Sequence, residues 1–185
     1  MKNKKLQNTS FAELYSRYGI LLILIIALIA GAVLSPAFLV WSNLVSVAKN
    51  VGVYAIMALG MTRLLIGGGV DLSAGSNVAM CSVITALVVN ATGSSLLATL
   101  AAVVVGAMVG SVNGFFASYV GLMPFIVTLA TQMTVRGLAY LVAGGAPIFG
   151  VGDTIVFLGQ GNVLGFPMIL IVVLAATAIM VFVMT

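Results

Sequence analysis

Long apolar runs alternate with short polar or glycine-rich stretches along most of this chain. A run of about 20 apolar residues is what an α-helix needs to cross the hydrocarbon core of a bilayer. The pattern therefore predicts an all-α, polytopic integral membrane helix bundle with about six transmembrane helices. The predicted spans are residues 19–34, 44–66, 73–89, 96–120, 124–142 and 167–184.

The composition changes the expected solvent from water to lipid. Hydrophobic residues make up 63% of the 185 residues and charged residues only 5%, whereas soluble domains carry about a quarter charged residues. The net charge of +4 could suggest nucleic acid, but the basic residues cluster near the amino end. We therefore expect membrane lipid, and no nucleic acid, as a partner.

The basic residues also set the expected orientation. Cytoplasmic segments flanking membrane spans carry an excess of Lys and Arg. We predict a cytoplasmic tail at residues 1–18, followed by a transmembrane domain at residues 19–185. Six spans then place Arg63 and the segment after it on the cytoplasmic side, and the glycine-rich loop of residues 143–166 outside. The basic residues before the first span are Lys2, Lys4, Lys5 and Arg17.

Few side chains in this chain could perform catalysis. There is no His, one Cys and three carboxylates: Glu13, Asp71 and Asp153. Because His is the commonest metal ligand and general base, we predict no enzyme, no catalytic residues and no metal site. Cys81 can form no internal disulfide and is expected to be a small packed residue.

Asp71 lies in the polar segment "GGGVDLSAGS", between two apolar runs. In a helix-connecting loop, Asp71 or Ser73 can accept hydrogen bonds from the free N–H groups that open the third span. If the segment instead lies within the membrane, its backbone must be buried in protein or line a water-filled cavity. We favour the helix cap. The alternative, which stays open, is a buried polar structure near a translocation path.

The fourth span carries Gly106, Gly110 and Gly114, four residues apart on one helical face. Small residues at this spacing let a neighbouring membrane helix approach closely. We predict a helix-packing face, and the alternative is the general tolerance of membrane helices for glycine.

Arg136 lies about two-thirds along the fifth span. An unpaired charge there costs about 2.5 kcal/mol or more. Arg136 can extend outward to the headgroups, pair with backbone carbonyls freed by a helix break at Gly137, or pair with a carboxylate. We predict a structural partner rather than a substrate contact, and of the available acids Asp153 fits the outward topology better than Asp71.

Two blocks of the chain resemble the permeases of bacterial ABC importers of the ribose/xylose/arabinose/galactose class. "SPAFLVWSNLVSVAKNVGVYAIMALGMTRLLIGGGVDLSAGS" is similar to the family pattern "SPxFL…N", "ALGMT" and "GGIDLSVGS". "GSVNGFFASYVGLMPFIVTLATQMTVRGLAYLVAGGAPI" resembles the family's second block, with "PFIVTL", "RGL" and "GG.PI" in the same order. The resemblance covers roughly residues 35–148, and Arg63 departs from it because the family usually carries an apolar residue there.

The resemblance implies a permease component of an ATP-driven importer for a monosaccharide or related small polar solute, in the bacterial inner membrane. It implies a second permease subunit, a periplasmic sugar-binding protein and a cytoplasmic ATPase, which binds the ATP, so that the chain itself needs no cofactor. Polar residues on the spans are then candidates for the translocation path, and each could instead bond between packed helices. These candidates are Asn50, Asn113, Thr128, Thr131, Gln132 and Thr134.

The family's ATPase-docking segment, typically "GxNxxAARLSGI", does not occur in this sequence. We therefore expect an amino-terminal portion of a permease, and the alternative function is a non-transporting truncated membrane protein or scaffold. A homo-oligomeric channel would need a regular repeat of pore-facing polar residues, and an intramembrane enzyme would need a nucleophile–base pair. Neither pattern is present in the sequence.

Overall fold

The computed structural model describes the backbone of residues 11–184 and the side chains of residues 18–183. Most of the predicted cytoplasmic tail, including Lys2, Lys4 and Lys5, lies outside these residues. Within them, the first helix already begins at Phe11, inside the predicted tail. The α-helices are α1 (Phe11–Leu34), α2 (Trp41–Ile66), α3 (Ala74–Thr92), α4 (Ser95–Gly114), α5 (Pro124–Val142), α6 (Asp153–Gln160) and α7 (Met168–Met184).

Six of these helices are apolar over most of their length. By length and composition, α2, α3, α5 and the stretch Ser95–Tyr119 can each cross a membrane, while Tyr18–Leu34 of α1 and Met168–Val183 of α7 are shorter apolar helices. The prediction of an all-α, polytopic chain with about six spans is confirmed. The fourth span differs locally, because α4 gives way to a π-helical turn at Phe115–Tyr119.

The chain divides into two compact units, one up to Val47 and one from Ala48 onward. In the first unit, the turn after α1 folds Phe38 back onto Gly31. A Cβ atom at Gly31 would lie 2.7 Å from the Phe38 ring, so the absence of a side chain at Gly31 permits this contact.

In the second unit, α3 packs against α4 and α5. The residues buried between them are mostly small, such as Ala86, Ala98 and Ala139, which lets the helix backbones approach closely. Most large apolar side chains of the described residues are exposed instead. A soluble monomer rarely exposes extended apolar surface, so this exterior fits contact with lipid.

The helices of the second unit run up and down and bring their ends together in two groups. At one end, the start of α3 meets the end of α4 through Ser73 and Asn113. At the other end, Asn90 in α3 meets the segment after α5 through Phe149. We call these the Asp71 end and the Asn90 end.

The segment of residues 143–166 is more ordered than its glycine content predicts. It contains α6 and forms, together with Pro167, a two-stranded antiparallel hairpin of β1 (Asn162–Val163) and β2 (Phe166–Pro167). The hairpin turn holds Leu164 and Gly165 at φ values of 50° and 85°. Both central residues of such a tight turn need positive φ, and because Leu adopts it rarely, the sequence does not predict this hairpin.

Candidate functional site

The glycine run after α2 ends that helix and positions Asp71. The N–H of Gly69 donates to the Leu64 carbonyl at 2.9 Å, and the N–H of Gly68 donates to the Leu65 carbonyl at 3.0 Å. This pair of bonds is the Schellman motif, which needs a left-handed residue, and Gly68 supplies it with a φ of 78°. The chain then reverses toward the start of α3.

Asp71 makes a tight turn with Ser73 instead of capping α3 directly. Its Oδ1 accepts from the Ser73 N–H at 2.7 Å and from the Ser73 hydroxyl at 2.6 Å. Ser73 occupies the N-cap position, but its side chain makes no cap hydrogen bond. The predicted cap by the Ser73 side chain is therefore not formed, whereas Asp71 accepts the N–H of Ser73, the first residue of the predicted third span.

The buried alternative describes this segment better. Ser73 is only 1% exposed, and its hydroxyl accepts from Asn113 Nδ2 on α4 at 2.8 Å. A carboxylate can only accept hydrogen bonds, so the Ser73 proton goes to Asp71 and the Asn113 amide must be the donor to Ser73. The result is a directed chain of hydrogen bonds from Asn113 through Ser73 to Asp71.

Thr128 brings α5 to the same place. It is 4% exposed, and its hydroxyl lies 2.9 Å from the Pro124 carbonyl and 3.2 Å from the Val70 carbonyl. The single hydroxyl proton can therefore bond within α5 or across to the segment before α3. We call Asp71, Ser73, Asn113 and Thr128 the polar cluster.

One atom of the polar cluster lacks a partner. Asn113 is 8% exposed, and its Oδ1 is buried without a hydrogen bond from the described part of the chain. A buried acceptor left unsatisfied costs about 1–3 kcal/mol. This cost makes Asn113 Oδ1 a place where an added donor would stabilise the site.

A recess of about 600 Å³ adjoins the polar cluster. Arg63 at the end of α2 lines it together with Asp71, Asn113 and Thr128, and the remaining wall is rich in glycine. Small-molecule sites have volumes of about 300–1,000 Å³ and few polar groups among other lining atoms. The recess has the size and the mixed lining of such a site.

The structure places the other path candidates elsewhere. Thr131 and Thr134 line a separate, largely apolar groove of about 460 Å³ between α4 and α5. The Thr134 hydroxyl donates to the Ala130 carbonyl of its own helix at 2.9 Å. Asn50 and Gln132 are exposed and line neither the recess nor the groove. Of the six candidates, Asn113 and Thr128 share the polar recess, and Thr131 and Thr134 share the apolar groove.

The three glycines of α4 do not form one packing face within the described chain. Gly106 is in close contact with α3, since a Cβ there would lie 3.3 Å from Cys81 Sγ. A Cβ at Gly110 or Gly114 would meet no atom within 4 Å, and both residues line the recess. The predicted helix-packing face is therefore limited to Gly106.

The predicted ion pair is also not formed. Arg136 and Asp153 are exposed, and no ion pair links them among residues 18–183. Asp153 is instead the first residue of α6, where a negative charge suits the positive end of the helix.

The arrangement favours hydrogen bonding over covalent chemistry. Among the described side chains, no group of His, Cys, Asp or Glu residues could hold a metal ion. The sequence identified Asp71, Ser73, Asn113 and Thr128, but not their association. For Arg63 it indicated only a place on the cytoplasmic side and a departure from the family pattern. No sequence signal joins Arg63 to Asn113, because the recess exists only when α2, α4 and α5 are folded.

Comparison with known proteins gives a consistent result. Residues 43–185 match the family described as branched-chain amino acid transport system / permease component. The chain is similar to the L-arabinose transport system permease protein AraH of Escherichia coli (strain K12), with 33% identity over 159 residues, covering 85% of this chain and 48% of that protein. It is also similar to the ribose import permease protein RbsC of Bacillus subtilis (strain 168), with 32% identity over 186 residues, covering 97% of this chain and 58% of that protein.

A third relative is the D-allose transport system permease protein AlsC of Escherichia coli (strain K12), with 29% identity over 178 residues. The chain spans about half the length of the curated relatives it matches. No solved structure matches it. Because the family match covers most of the sequence, this chain belongs to the family of branched-chain amino acid transport system / permease components.

Proposed function

We propose that this chain is a transmembrane permease component of an ATP-driven importer for a monosaccharide or related small polar solute, and that it helps to form the translocation path. The observation that carries the proposal is the family match together with the similarity to permeases named for arabinose, ribose and allose. The proposed role is transport and not catalysis.

The polar recess supports a role in passing a hydrophilic solute. Its polar wall is set among helices whose outer surfaces are apolar. A transport path needs weak, multiple contacts, since tight binding would prevent release. Asn113 and Thr128 remain path candidates because they adjoin the recess. Thr131 and Thr134, in the apolar groove, and the exposed Asn50 and Gln132 remain predictions outside the recess.

We further propose the partners and the location that such an importer requires. The partners are a second permease subunit, a periplasmic sugar-binding protein and a cytoplasmic ATPase that binds the ATP. The location is the bacterial inner membrane, with the amino end in the cytoplasm. Under the positive-inside rule, the Asp71 end then faces the cytoplasm and the Asn90 end faces the periplasm.

Sugar uptake in the source bacterium tests the proposed function. Deleting the gene should abolish accumulation of at least one of radiolabelled L-arabinose, D-ribose or D-allose, and the chain expressed from a plasmid should restore it. Depleting ATP should stop the restored uptake. Unchanged uptake of all three sugars after deletion would contradict the proposal. If the chain reaches the membrane but restores nothing, the alternative of a non-transporting membrane protein or scaffold replaces it.

A further inference from the structure

The recess owes its open space to glycines that the fold itself does not require. Gly60 on α2 and Gly110 and Gly114 on α4 line the recess. A Cβ at any of the three would meet no atom of the described residues within 4 Å, and none of the three has a positive φ. Neither packing within the described chain nor backbone conformation therefore explains why these positions lack side chains.

The polar atoms around this space include both donors and acceptors. Arg63 carries only donors, and Asp71 is a pure acceptor when ionised. Asp71 Oδ1 is bound by Ser73, and no ion pair joins Asp71 to Arg63 within the described residues. Asn113 adds the buried Oδ1 acceptor, which has no hydrogen-bond partner among the described residues. A ligand that both donates and accepts hydrogen bonds would match this set.

We propose that the glycine-walled recess is a low-affinity binding site for a neutral polyhydroxylated solute at the Asp71 end of the path. This inference rests on the proposed function and adds the location of a solute-binding site and the residues that contact the solute. Each hydroxyl of such a solute can both donate and accept. Arg63 would donate to the solute, Asp71 would accept from it, and a solute hydroxyl would supply the partner that Asn113 Oδ1 lacks.

A packed helix is a poorer occupant of the recess than a solute. Glycines on helix faces can admit a neighbouring membrane helix, but Arg63 and Asp71 also line the recess. An apolar helix there would bury both charges without pairing them, which is costly inside a membrane. A polar solute, by contrast, would keep both charges hydrogen-bonded.

A pair of matched glycine substitutions tests whether the open space matters. Gly110→Leu places a side chain in the recess, whereas Gly137→Leu on α5 places it in open space outside the recess. In cells that depend on this gene for sugar uptake, G110L should lower the initial rate about tenfold or more, which corresponds to about 1.4 kcal/mol or more. The initial uptake rate of G137L should stay close to that of the unsubstituted chain. The two variants are compared at equal abundance in the membrane.

A binding measurement tests the ligand without transport. In a Cys81→Ser background, Ser118→Cys places a thiol at an exposed position in the recess wall. The rate of maleimide labelling in detergent should fall when L-arabinose, D-ribose or D-allose is added. At a sugar concentration of about ten times Kd, the fraction of protein without bound sugar falls about tenfold, and the labelling rate falls with it. Thr154→Cys, exposed on α6 and outside the recess, should show no protection.

The outcomes separate this inference from the proposed function. If sugar uptake requires the gene but G110L and G137L behave alike, the recess proposal is overturned and the proposed function stands. If L-leucine protects Ser118→Cys and the sugars do not, the polyhydroxylated ligand is wrong. If uptake of none of the three sugars requires the gene, the proposed function itself is contradicted. Should G110L not reach the membrane, sugar protection of Ser118→Cys decides the question.

Discussion

The two ends of the helix bundle use polar groups in opposite ways. At the Asp71 end, Asn113 and Ser73 are buried and bond side chain to side chain between helices. At the Asn90 end, Asn90 Nδ2 donates to the Phe149 carbonyl at 3.0 Å, and Lys49 Nζ donates to the Gln160 carbonyl, both at exposed positions. One end is a connected buried cluster, and the other is a set of separate surface contacts.

This difference determines what happens when a bond is lost. At an exposed position, water replaces the missing partner, so the net contribution of a hydrogen bond is small. In a buried cluster, the remaining partner stays unsatisfied, and its full desolvation cost lowers the stability of the folded chain. Equivalent substitutions at the two ends should therefore differ in effect.

The largest difference should come from Asn→Asp at the two ends. Asn113→Asp places a second carboxylate beside Ser73, whose single proton already serves Asp71 at 2.6 Å. An uncompensated buried charge costs about 3–5 kcal/mol. Asn90→Asp loses one exposed bond and adds a charge that water can solvate. We expect N113D to lower the apparent melting temperature in detergent strongly and N90D to change it little. Equal shifts for the two variants would contradict the contrast between the ends.

Removing one hydroxyl should have an intermediate effect. Ser73→Ala deletes the atom that links Asn113 to Asp71, which leaves the Asn113 amide without a partner and costs about 1–3 kcal/mol. Ser82→Ala is the matched control, because Ser82 lies on α3, the helix that Ser73 precedes, is exposed and bonds only to carbonyls of its own helix. Thermal denaturation of both variants in the same detergent measures the difference. A Ser82→Ala loss as large as that of Ser73→Ala would show that burial is not the cause.

The close contact between α2 and α7 gives a third test, which depends on packing and not on polar groups. A Cβ at Gly52 would lie 2.9 Å from both Cγ atoms of Ile169. Gly52→Ala should therefore destabilise the chain by about 1–3 kcal/mol, whereas Gly137→Ala has open space. Adding Ile169→Ala removes the clashing atoms and should recover part of the loss. Additive losses in the double variant would exclude this contact as the cause.

The sequence predicts the long helices well because their signal is local. The fifth span was predicted at residues 124–142, and α5 is Pro124–Val142, since proline is favoured at the first turn of a helix. The π-helical turn after α4 could not be predicted in this way. It depends on the bond from the Val120 N–H to the Phe115 carbonyl at 3.2 Å, and no composition rule specifies that bond.

The site was predictable as a set of residues but not as an arrangement. Asp71 stood out because a carboxylate is rare in this chain, yet its linkage to Asn113 crosses 42 positions of sequence. Arg136 and Asp153 were paired on topology alone, and the structure keeps both exposed. Whether two such side chains lie close enough to pair depends on how the helices pack. The only indication of helix packing in this sequence is the glycine pattern of α4.

The smallest effect should come from the Asn90 end itself. Lys49→Met keeps most of the apolar stem and removes the ammonium that donates to the Gln160 carbonyl at the end of α6. Because the contact is exposed, we expect a loss below about 1 kcal/mol, with faster hydrogen exchange confined to α6. Lys49→Arg keeps a donor and should restore the exchange rate. If Lys49→Met lowered the melting temperature as much as Ser73→Ala, the Asn90 end would be energetically equivalent to the buried cluster, and the contrast between the two ends would not hold.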